Sequence, residues 1–385
     1  MAYPHNKKPL RQSVTARRRF LTVAAAAAAA FPMTAEAQSP AVLRFQGAWS
    51  AKDVFHEYAL DYARKVIDMS GGRVRIEVLS AGAVVKPPEL LDAVHKGLLD
   101  GCHAVPAYWA GKDSAFSLFG SGPALGMDAA LLLSWMDYGG GKALYEELYS
   151  RMMLSNVTGF LYGPMPTQPL GWFRKPLTSA AQLKGLRVHA RGLPAQLFRE
   201  MGAVVRELPD DEIVPAARRG LLDGVAFNNA TSDRQLGLPD LFPVCMQRSY
   251  HQPAQVFEVI LNRKRFDSMP ADLRAILRYA AQAASADLSS KAAHRYSADY
   301  AALRGQSSIR FLNTPPEVLR AQLRAWDVLA ARAMRDNPFF EKVLNSQQVW
   351  ARRAAGWALD TLVDPRLAYD HWFARQAPGA PAGKS

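Results

Sequence analysis

The sequence predicts an α/β fold with two lobes, and three observations support this prediction. First, the pentapeptide GLLDG occurs twice, at 97–101 and at 220–224, and each copy follows a helical stretch that opens with a glutamate. Second, short β-type runs alternate with helical runs in both halves, a pattern typical of parallel or mixed sheets. Third, the last third of the chain consists largely of long helical runs. We therefore expect two matching lobes around one cleft.

The first copy of the repeat predicts a helix followed by a buried strand. Pro87 and Pro88 suit the first turn of a helix. Gly97 suits the position just past a helix end. The apolar run from 98 to 104 is typical of a buried strand, and the alternating run at 73–79 is typical of a half-buried one.

The second copy of the repeat predicts the same order of elements. Asp210 and Asp211 favour a helix start through capping and the helix dipole, Gly220 ends the helix, and 221–227 has the pattern of the next strand. In open α/β sheets, ligands bind outside the carboxyl ends of the strands. The residues after both strands should therefore face one cleft. They are Pro106, Ala107, Tyr108 and Trp109 from the first lobe, and Phe227, Asn228 and Asn229 from the second.

The C-terminal third predicts helices longer than one lobe requires. The run 270–303 predicts a single helix of about 50 Å at 1.5 Å per residue, long enough to span both lobes. A second helix should begin with capping by Thr314 in the sequence TPPE, and the last one should cover about 339–362. Helices of this length could also join two copies of the chain in a homodimer.

Residues 1–37 resemble an export signal. Basic residues precede a short alanine-rich run, and Ala35-Glu36-Ala37 forms an A-x-A cleavage signal. Arg17-Arg18-Arg19 followed by Phe20-Leu21 resembles the twin-arginine signal of proteins that are exported folded. We expect the mature chain to begin near Gln38 in a bacterial periplasm. In that compartment Cys102 and Cys245 could form a disulfide or remain as buried thiols.

The charges and motifs favour a binder of small anions over other functional classes. The net charge of +13 falls to +8 after residue 37, with 41 basic and 33 acidic residues that are interspersed rather than clustered. Nucleic acid is therefore not expected as a partner. The sequence lacks G-x-S-x-G, H-E-x-x-H and C-x-x-C, and the glycines before Lys142 lack the spacing of a phosphate loop. We expect neither catalysis nor a cofactor.

Several stretches, in their order and spacing, resemble a known receptor family. They include SGGRVRIEVLSAGAVV at 70–85, GPMPTQPLGWFRKPL at 163–177, QLKGLRVHARGL at 182–193 and EIVPAARRGLLDGVAFNN at 212–229. They resemble the DctP-type solute receptors of tripartite ATP-independent periplasmic (TRAP) transporters, in particular those for 2-oxo acids and related monocarboxylates. The resemblance implies a two-lobed periplasmic solute-binding protein with a hinge. Such a receptor closes around a small organic acid and delivers it to membrane permease subunits.

The resemblance also implies four anchors for the ligand and a bridging cation, of which this chain keeps one. Gln168 is present ahead of the GWF run. The position of the anchoring arginine holds His189, that of a glutamate holds Ala226, and that of the hinge acid holds Gln255. Hard cations require carboxylate oxygens. We therefore expect no metal of that kind to be held tightly.

Arg191 could replace the missing arginine. It lies two residues beyond His189, and residues i and i+2 of an extended strand share a face. Its guanidinium could bind a carboxylate with two hydrogen bonds. Four of the predicted contacts could instead have a purely structural role. Arg191 could be a solvated surface residue, and His189 could bond only to the backbone. Trp172 could belong to the core, and Asn228 could form a turn. The complete set of predicted ligand contacts is Tyr108, Gln168, Trp172, His189, Arg191, Phe227, Asn228 and Gln255.

The predicted organisation places lobe I at 38–163 plus about 250–285. Lobe II with the C-terminal helices covers 164–249 plus about 286–375, and 376–385 should be a disordered tail. Two functional alternatives stay open. One is a receptor for a neutral or amide-bearing ligand, such as a cyclic amino-acid derivative. The other is an enzyme or sensor outside transport on the same scaffold.

Overall fold

The computed structural model describes residues 39–120 and 122–373, without the side chains of Pro164 and Gln255. The predicted export signal and C-terminal tail lie outside these residues. The strands are β1 (Ala41–Gly47), β2 (Val74–Leu79), β3 (Gly101–Ala104), β4 (Val157–Met165), β5 (Gly171–Phe173), β6 (Arg187–His189), β7 (Val204–Arg206), β8 (Gly224–Val225), β9 (Val244–Gln247), β10 (Gln255–Asn262) and β11 (Arg310–Asn313).

Helices occupy the stretches between most of these strands. They are α1 (Val54–Met69), α2 (Leu90–Lys96), α3 (Ala129–Tyr138), α4 (Gly141–Arg151), α5 (Gly192–Glu200), α6 (Asp210–Arg218), α7 (Ala230–Gln235), α8 (Arg263–Asp267), α9 (Ala271–Arg304), α10 (Pro316–Asp336), α11 (Pro338–Thr361) and α12 (Pro365–Phe373). Among the described residues, none of these helices is both long and apolar enough to span a bilayer.

Two sheets that share the arrangement of five strands confirm the prediction of a two-lobed α/β fold. The first has the order β2-β1-β3-β10-β4, and the second has the order β7-β6-β8-β5-β9-β11. Each starts with three parallel strands, followed by an antiparallel strand, β10 or β5, and the second sheet has β11 as an additional edge strand. Strand β10 returns to the first sheet after the chain has formed β5–β9 of the second, so the chain crosses between the lobes after β4 and again after β9.

The second glycine of each GLLDG copy lies beneath an aromatic ring of a neighbouring strand. A Cβ atom on Gly101 would lie 2.3 Å from the ring of Phe45, and one on Gly224 would lie 2.3 Å from the ring of Phe173. Real side chains do not tolerate such a distance. Glycine is therefore required at the same point of both lobes, so that a large ring can pack across the start of a central strand.

The aspartate of each copy fixes the register of two parallel strands. The backbone nitrogen of Asp100 donates to the Arg44 carbonyl at 2.9 Å, and its carboxylate accepts from the Arg44 nitrogen at 2.8 Å. Asp223 makes the same pair of bonds with Arg187, at 2.7 and 3.0 Å. The repeated sequence thus encodes one helix–strand connection that is used in each lobe.

The strands after the repeats are shorter than predicted. β3 begins at Gly101 rather than at residue 98, and β8 covers two residues rather than 221–227. The first leucine of each copy still belongs to the helix end, because its backbone nitrogen donates to the carbonyl of a residue in the last turn. Gly97 and Gly220 have φ of 77° and 71°, the left-handed conformation that ends such helices.

Helix α9 confirms the predicted long helix and contacts both lobes. Its 34 residues correspond to about 50 Å. It packs on α1 and β4 of the first lobe and on α7 of the second. Lys291 forms an ion pair with Asp61 of α1, and Asp299 accepts a hydrogen bond of 2.6 Å from Thr231 of α7.

Two details of the C-terminal region differ from the predictions. Pro315, not Thr314, occupies the capping position of α10, and the carboxylate of Glu317 accepts from the backbone nitrogen of Ala180 rather than closing a capping box. Helix α12 was not predicted, because its apolar residues lie on an exposed surface where no buried stripe marks a helix. Cys102 and Cys245 lie in β3 and β9 of different lobes and are buried thiols.

Candidate functional site

Gln168, Phe227 and Asn228 come together at the carboxyl end of β8. The Gln168 amide Nε2 donates to the Phe227 carbonyl at 3.1 Å and to Asn228 Oδ1 at 3.2 Å. The backbone nitrogen of Gln168 also donates to the carbonyl of Gln252 in the second crossover, at 3.2 Å. Gln168 therefore joins both crossovers to the loop after β8. We call the side chains of Gln168 and Asn228, together with the backbone carbonyl of Phe227, the amide cluster.

A buried carboxyl group that the sequence analysis missed contacts this cluster. Asp233 is only 1% exposed, and its Oδ1 accepts from the Asn228 backbone nitrogen at 3.0 Å. Its Oδ2 accepts from Trp172 Nε1 at 2.8 Å. Burial raises the pKa of Asp233 to about 7. The signal in the sequence was an acid in the first turn of a helix capped by Asn229, which is usually a structural feature.

Trp172 is both a core residue and part of a cavity wall. Its ring is 1% exposed and packs at right angles against Phe311, with 5.6 Å between the ring centroids. It also lines a cavity of about 950 Å³ that runs from the crossovers to α9, where Tyr296 and Tyr300 form the opposite wall. Among the predicted contacts whose side chains are described, the others do not line this cavity.

His189 ends β6 and is bonded to the backbone. It is 1% exposed, and its Nδ1 lies 3.1 Å from the Arg206 carbonyl and 3.3 Å from the Leu208 nitrogen. Burial, with the nearby charge of Arg191, lowers its pKa to about 4. The imidazole is therefore neutral at neutral pH, and it cannot supply the charge of the arginine whose position it occupies.

Arg191 lies just beyond β6, where the chain is still extended (φ −129°, ψ 159°), and it precedes the first residue of α5. One guanidinium nitrogen lies 2.7 Å from Asp210 Oδ1, and its Nε donates to the Leu208 carbonyl at 3.1 Å. The side chain keeps 42% of its surface exposed. Arg191 is thus oriented by lobe II and still accessible to a ligand, which would share the guanidinium with Asp210.

Tyr108 brings a hydroxyl of lobe I close to these charges of lobe II. Burial raises the pKa of Tyr108 to about 12, while the charge of Arg191 lowers it and the charges of Asp210 and Asp53 raise it. The side chain is nevertheless 39% exposed, and its ring lies 6.1 Å from that of Trp49. Helix α5, which begins directly after Arg191, contacts the turn Pro106–Trp109, so Tyr108 and Arg191 lie on either side of one contact between the lobes.

Asp53 is a second carboxyl group that the sequence analysis missed. It caps α1, because its Oδ1 accepts from the Phe55 nitrogen at 2.8 Å. Burial raises its pKa to about 6, and the charge of Asp210 in lobe II contributes to this increase. An aspartate before an apolar helical stripe is the usual signal of a cap. Only the three-dimensional fold brings this carboxyl group close to lobe II.

The described residues do not fit the cation site that the resemblance implies. Ala226 has no oxygen in its side chain, and the Phe227 carbonyl already accepts a hydrogen bond from Gln168. Within residues 39–120 and 122–373, no three His, Cys, Asp or Glu side chains are grouped to hold a metal. The side chain of Gln255 lies outside the described part.

Two lobes whose sheets share the arrangement of five strands, joined by two crossovers and a long helix, define the architecture of a bilobed solute receptor. The chain belongs to the family of bacterial extracellular solute-binding proteins, family 7 (DctP), which matches residues 45–334. It is therefore a solute receptor of the TRAP class, as the resemblance predicted, and this family serves transport.

Three relatives extend the match over most of the chain. The monocarboxylate 2-oxoacid-binding periplasmic protein all3028 of Nostoc sp. (strain PCC 7120) is 27% identical over 77% of this chain and 80% of its own. A TRAP solute-binding protein of Pseudoalteromonas atlantica, solved with sodium and pyruvate, is 27% identical with a TM-score of 0.78, over 87% of this chain and 100% of its own. Another from Colwellia psychrerythraea, solved with calcium and pyruvate, is 25% identical with a TM-score of 0.79, over 86% and 100%.

Proposed function

We propose that this protein is a periplasmic receptor for a small monocarboxylate of the 2-oxo acid class. It would bind the acid between its lobes and deliver it to the TRAP membrane permease subunits. The observation that carries the ligand class is the likeness to the three relatives, two solved with pyruvate and one named for 2-oxo acids. Export of the mature chain into the periplasm, by the twin-arginine route, belongs to the same proposal.

Arg191 binds the carboxylate of the ligand in this proposal. Its guanidinium is accessible, and Asp210 holds it from behind at 2.7 Å. A charge-assisted pair of this kind is stronger than a neutral hydrogen bond. Tyr108 supplies a hydroxyl from the opposite lobe. Ligand binding would therefore draw the two lobes together, since each contributes one contact.

The amide cluster binds the remaining oxygen of the ligand without a cation. Gln168 uses its Nε2 to fix Phe227 and Asn228, so the Nδ2 group of Asn228 is the neutral donor that this proposal assigns to the 2-oxo oxygen of the ligand. The sodium and calcium of the two solved relatives belong to those proteins. In this chain an internal amide hydrogen bond takes the place of the ion bridge.

Closure depends on the two crossovers in this proposal. Lobe I comprises 38–163 plus about 250–285, lobe II comprises 164–249 plus about 286–375, and the hinge lies where the chain passes between them. Ligand contacts made by both lobes favour the closed form, which docks to the permease. The receptor releases its ligand unchanged and catalyses no reaction.

A ligand screen tests this proposal. Pyruvate, 2-oxobutyrate, pyroglutamate and glucose are each added to the mature protein, and the thermal midpoint is measured. A ligand at 1,000 times its Kd stabilises a protein by about 4 kcal/mol, so the 2-oxo acids should raise the midpoint by several degrees. A shift with pyroglutamate alone would instead support the receptor for an amide-bearing ligand.

The exposed C-terminal helices support a homodimer as a separate part of the proposal. Trp357 on α11 and Trp372 on α12 are 66% and 67% exposed, and Phe373 is 56% exposed. Such a surface on a soluble receptor suits a second copy. Light scattering after gel filtration should give twice the mass of the mature chain. The change Trp372→Asp should give the monomer mass if these helices form the interface.

A further inference from the structure

An ionisable side chain in the core of lobe I lies directly behind the cleft wall. Glu258 of β10 is 0% exposed, and its Oε1 accepts a hydrogen bond from Trp109 Nε1. Its Oε2 accepts from the hydroxyls of Tyr145 at 2.5 Å and Tyr149 at 3.1 Å. No basic side chain in the described residues forms an ion pair with it. Three neutral hydrogen-bond donors therefore hold the Glu258 carboxyl group. In a core that served packing alone, an apolar residue could take this position.

The hydrogen bond to Trp109 connects this carboxyl group with the cleft. Trp109 is 1% exposed and ends the short 3-10 helix Pro106–Trp109, in which the preceding residue is Tyr108. The rings of Tyr108 and Trp109 lie at right angles, 6.4 Å apart. Trp109 is therefore fixed in the core, while Tyr108, the residue before it, places its hydroxyl near Arg191.

The position of Glu258 in the chain connects the same carboxyl group with a crossover. Strand β10 begins at Gln255, directly after the chain returns from lobe II, and Glu258 is paired with Ala104 of β3. Glu258 thus lies on the strand that leaves the crossover, and its carboxyl group accepts hydrogen bonds from the turn Pro106–Trp109 and from α4. A group that only filled the core would not need to join these three elements.

We propose that Glu258 is a positioning residue, which holds Tyr108 at the cleft through its hydrogen bond with Trp109. Glu258 touches no ligand. Burial raises the pKa of Glu258 to about 7, against the effect of its three donors. Leucine at this position is of similar size but removes both acceptor oxygens, so Trp109 Nε1 loses its partner; glutamine does not serve here, because its Oε1 can accept from Trp109 while its Nε2 donates to the tyrosine hydroxyls.

Fluorine NMR of the full mature protein tests this proposal without any ligand. The protein is labelled with 3-fluorotyrosine, and Tyr108→Phe identifies the Tyr108 signal. We expect Glu258→Leu and Trp109→Phe to shift this signal, and the double variant to shift it no further than one of the single variants. Trp135→Phe is the matched control, because Trp135 is equally buried and donates to Ser346 at 3.1 Å, away from this turn.

The affinity for pyruvate forms a second arm, which rests on the proposed function. Glu258→Leu and Trp109→Phe should weaken binding about fivefold to tenfold, the loss of roughly one hydrogen bond, whereas Trp135→Phe should leave it unchanged. An unmoved Tyr108 signal in folded Glu258→Leu protein would overturn the proposal, as would an equal shift in the Trp135→Phe control. Failure of the unmodified protein to bind pyruvate would refute the proposed function alone, since the fluorine signal decides the role of Glu258 by itself.

Discussion

Arg191 is the residue on which ligand recognition depends most strongly in this account. Changing it to alanine removes the charged donor and leaves Asp210 unpaired beside the ligand. A hydrogen bond to a charged group contributes about 1.5–3 kcal/mol, so the affinity for pyruvate should fall roughly tenfold to a hundredfold. Isothermal titration calorimetry of the purified variant measures this change.

The control for Arg191 lies on α5, the helix that begins directly after it. Arg199 is also half exposed and forms an ion pair with Glu207 at 2.6 Å, within lobe II. Arg199→Ala should bind pyruvate as the unmodified protein does. Equal affinities of the two variants would show that the guanidinium of Arg191 only stabilises the surface of lobe II.

The buried carboxyl group of Asp233 should make stability depend on pH. Its pKa is raised from 3.8 in the unfolded chain to about 7 in the fold. An acid with a raised pKa stabilises the fold while it is protonated, and this contribution is lost as the pH rises from about 4 to about 7. Relative to Asp233→Asn, which stays neutral, the unmodified protein should lose about 4 kcal/mol over this interval.

Urea unfolding of both proteins at pH 4.5 and pH 8 checks this prediction. The comparison removes the opposing effect of the buried histidines, which both proteins share. If the difference in unfolding free energy between the two proteins were the same at both pH values, Asp233 would be ionised in the fold throughout.

Residue-level prediction from the sequence succeeded in part. Gln168, Phe227 and Asn228 were each predicted to contact the ligand, and in the fold they form one hydrogen-bonded cluster. Their role towards the ligand stays a prediction. Asp53 and Asp233 escaped notice because an acid at a helix start has an adequate local explanation. Nothing in the linear sequence shows that the fold surrounds these carboxyl groups with protein.

At the scale of elements, the two repeats make a direct prediction about stability. Alanine at Gly101 or Gly224 would place Cβ 2.3 Å from a buried phenylalanine ring. Overpacking of this kind costs about 1–3 kcal/mol. Both variants should lower the urea midpoint, because in each lobe the new Cβ would overlap a buried phenylalanine ring of a neighbouring strand.

Gly111→Ala is the control for these two variants. No atom outside its chain neighbours lies within 4 Å of a Cβ at Gly111, and its φ is not in the left-handed range. Its unfolding free energy should therefore change by less than about 0.5 kcal/mol. A normal midpoint in Gly224→Ala would mean that the ring of Phe173 can move aside.

Elements were predicted well where sequence periodicity is strong. Helix α9 was expected at 270–303 and occupies Ala271–Arg304. The strands after the repeats were predicted too long, because apolar character alone does not separate a helix end from the strand that follows. Helix α12 has its apolar side chains in an exposed position, so the periodicity gave no reason to expect it.

At the scale of the whole molecule, the matched repeats were sufficient to predict two lobes. They were not sufficient to predict that β10, which follows β9 in the chain, is inserted between β3 and β4 of the first sheet. Such an insertion depends on pairing between distant segments, for which a single sequence has no local signal. The insertion matters for function, because it gives the chain two crossovers that can act as a hinge.

The account as a whole depends on recognition of a carboxylate by Arg191 without a bridging cation. Calorimetric titration of pyruvate in sodium-free buffer with EDTA tests this most directly, with parallel titrations in sodium and in calcium. We predict the same affinity in all three buffers, because the amide cluster and Arg191 provide every contact. Binding that appears only after sodium or calcium is added would contradict the account.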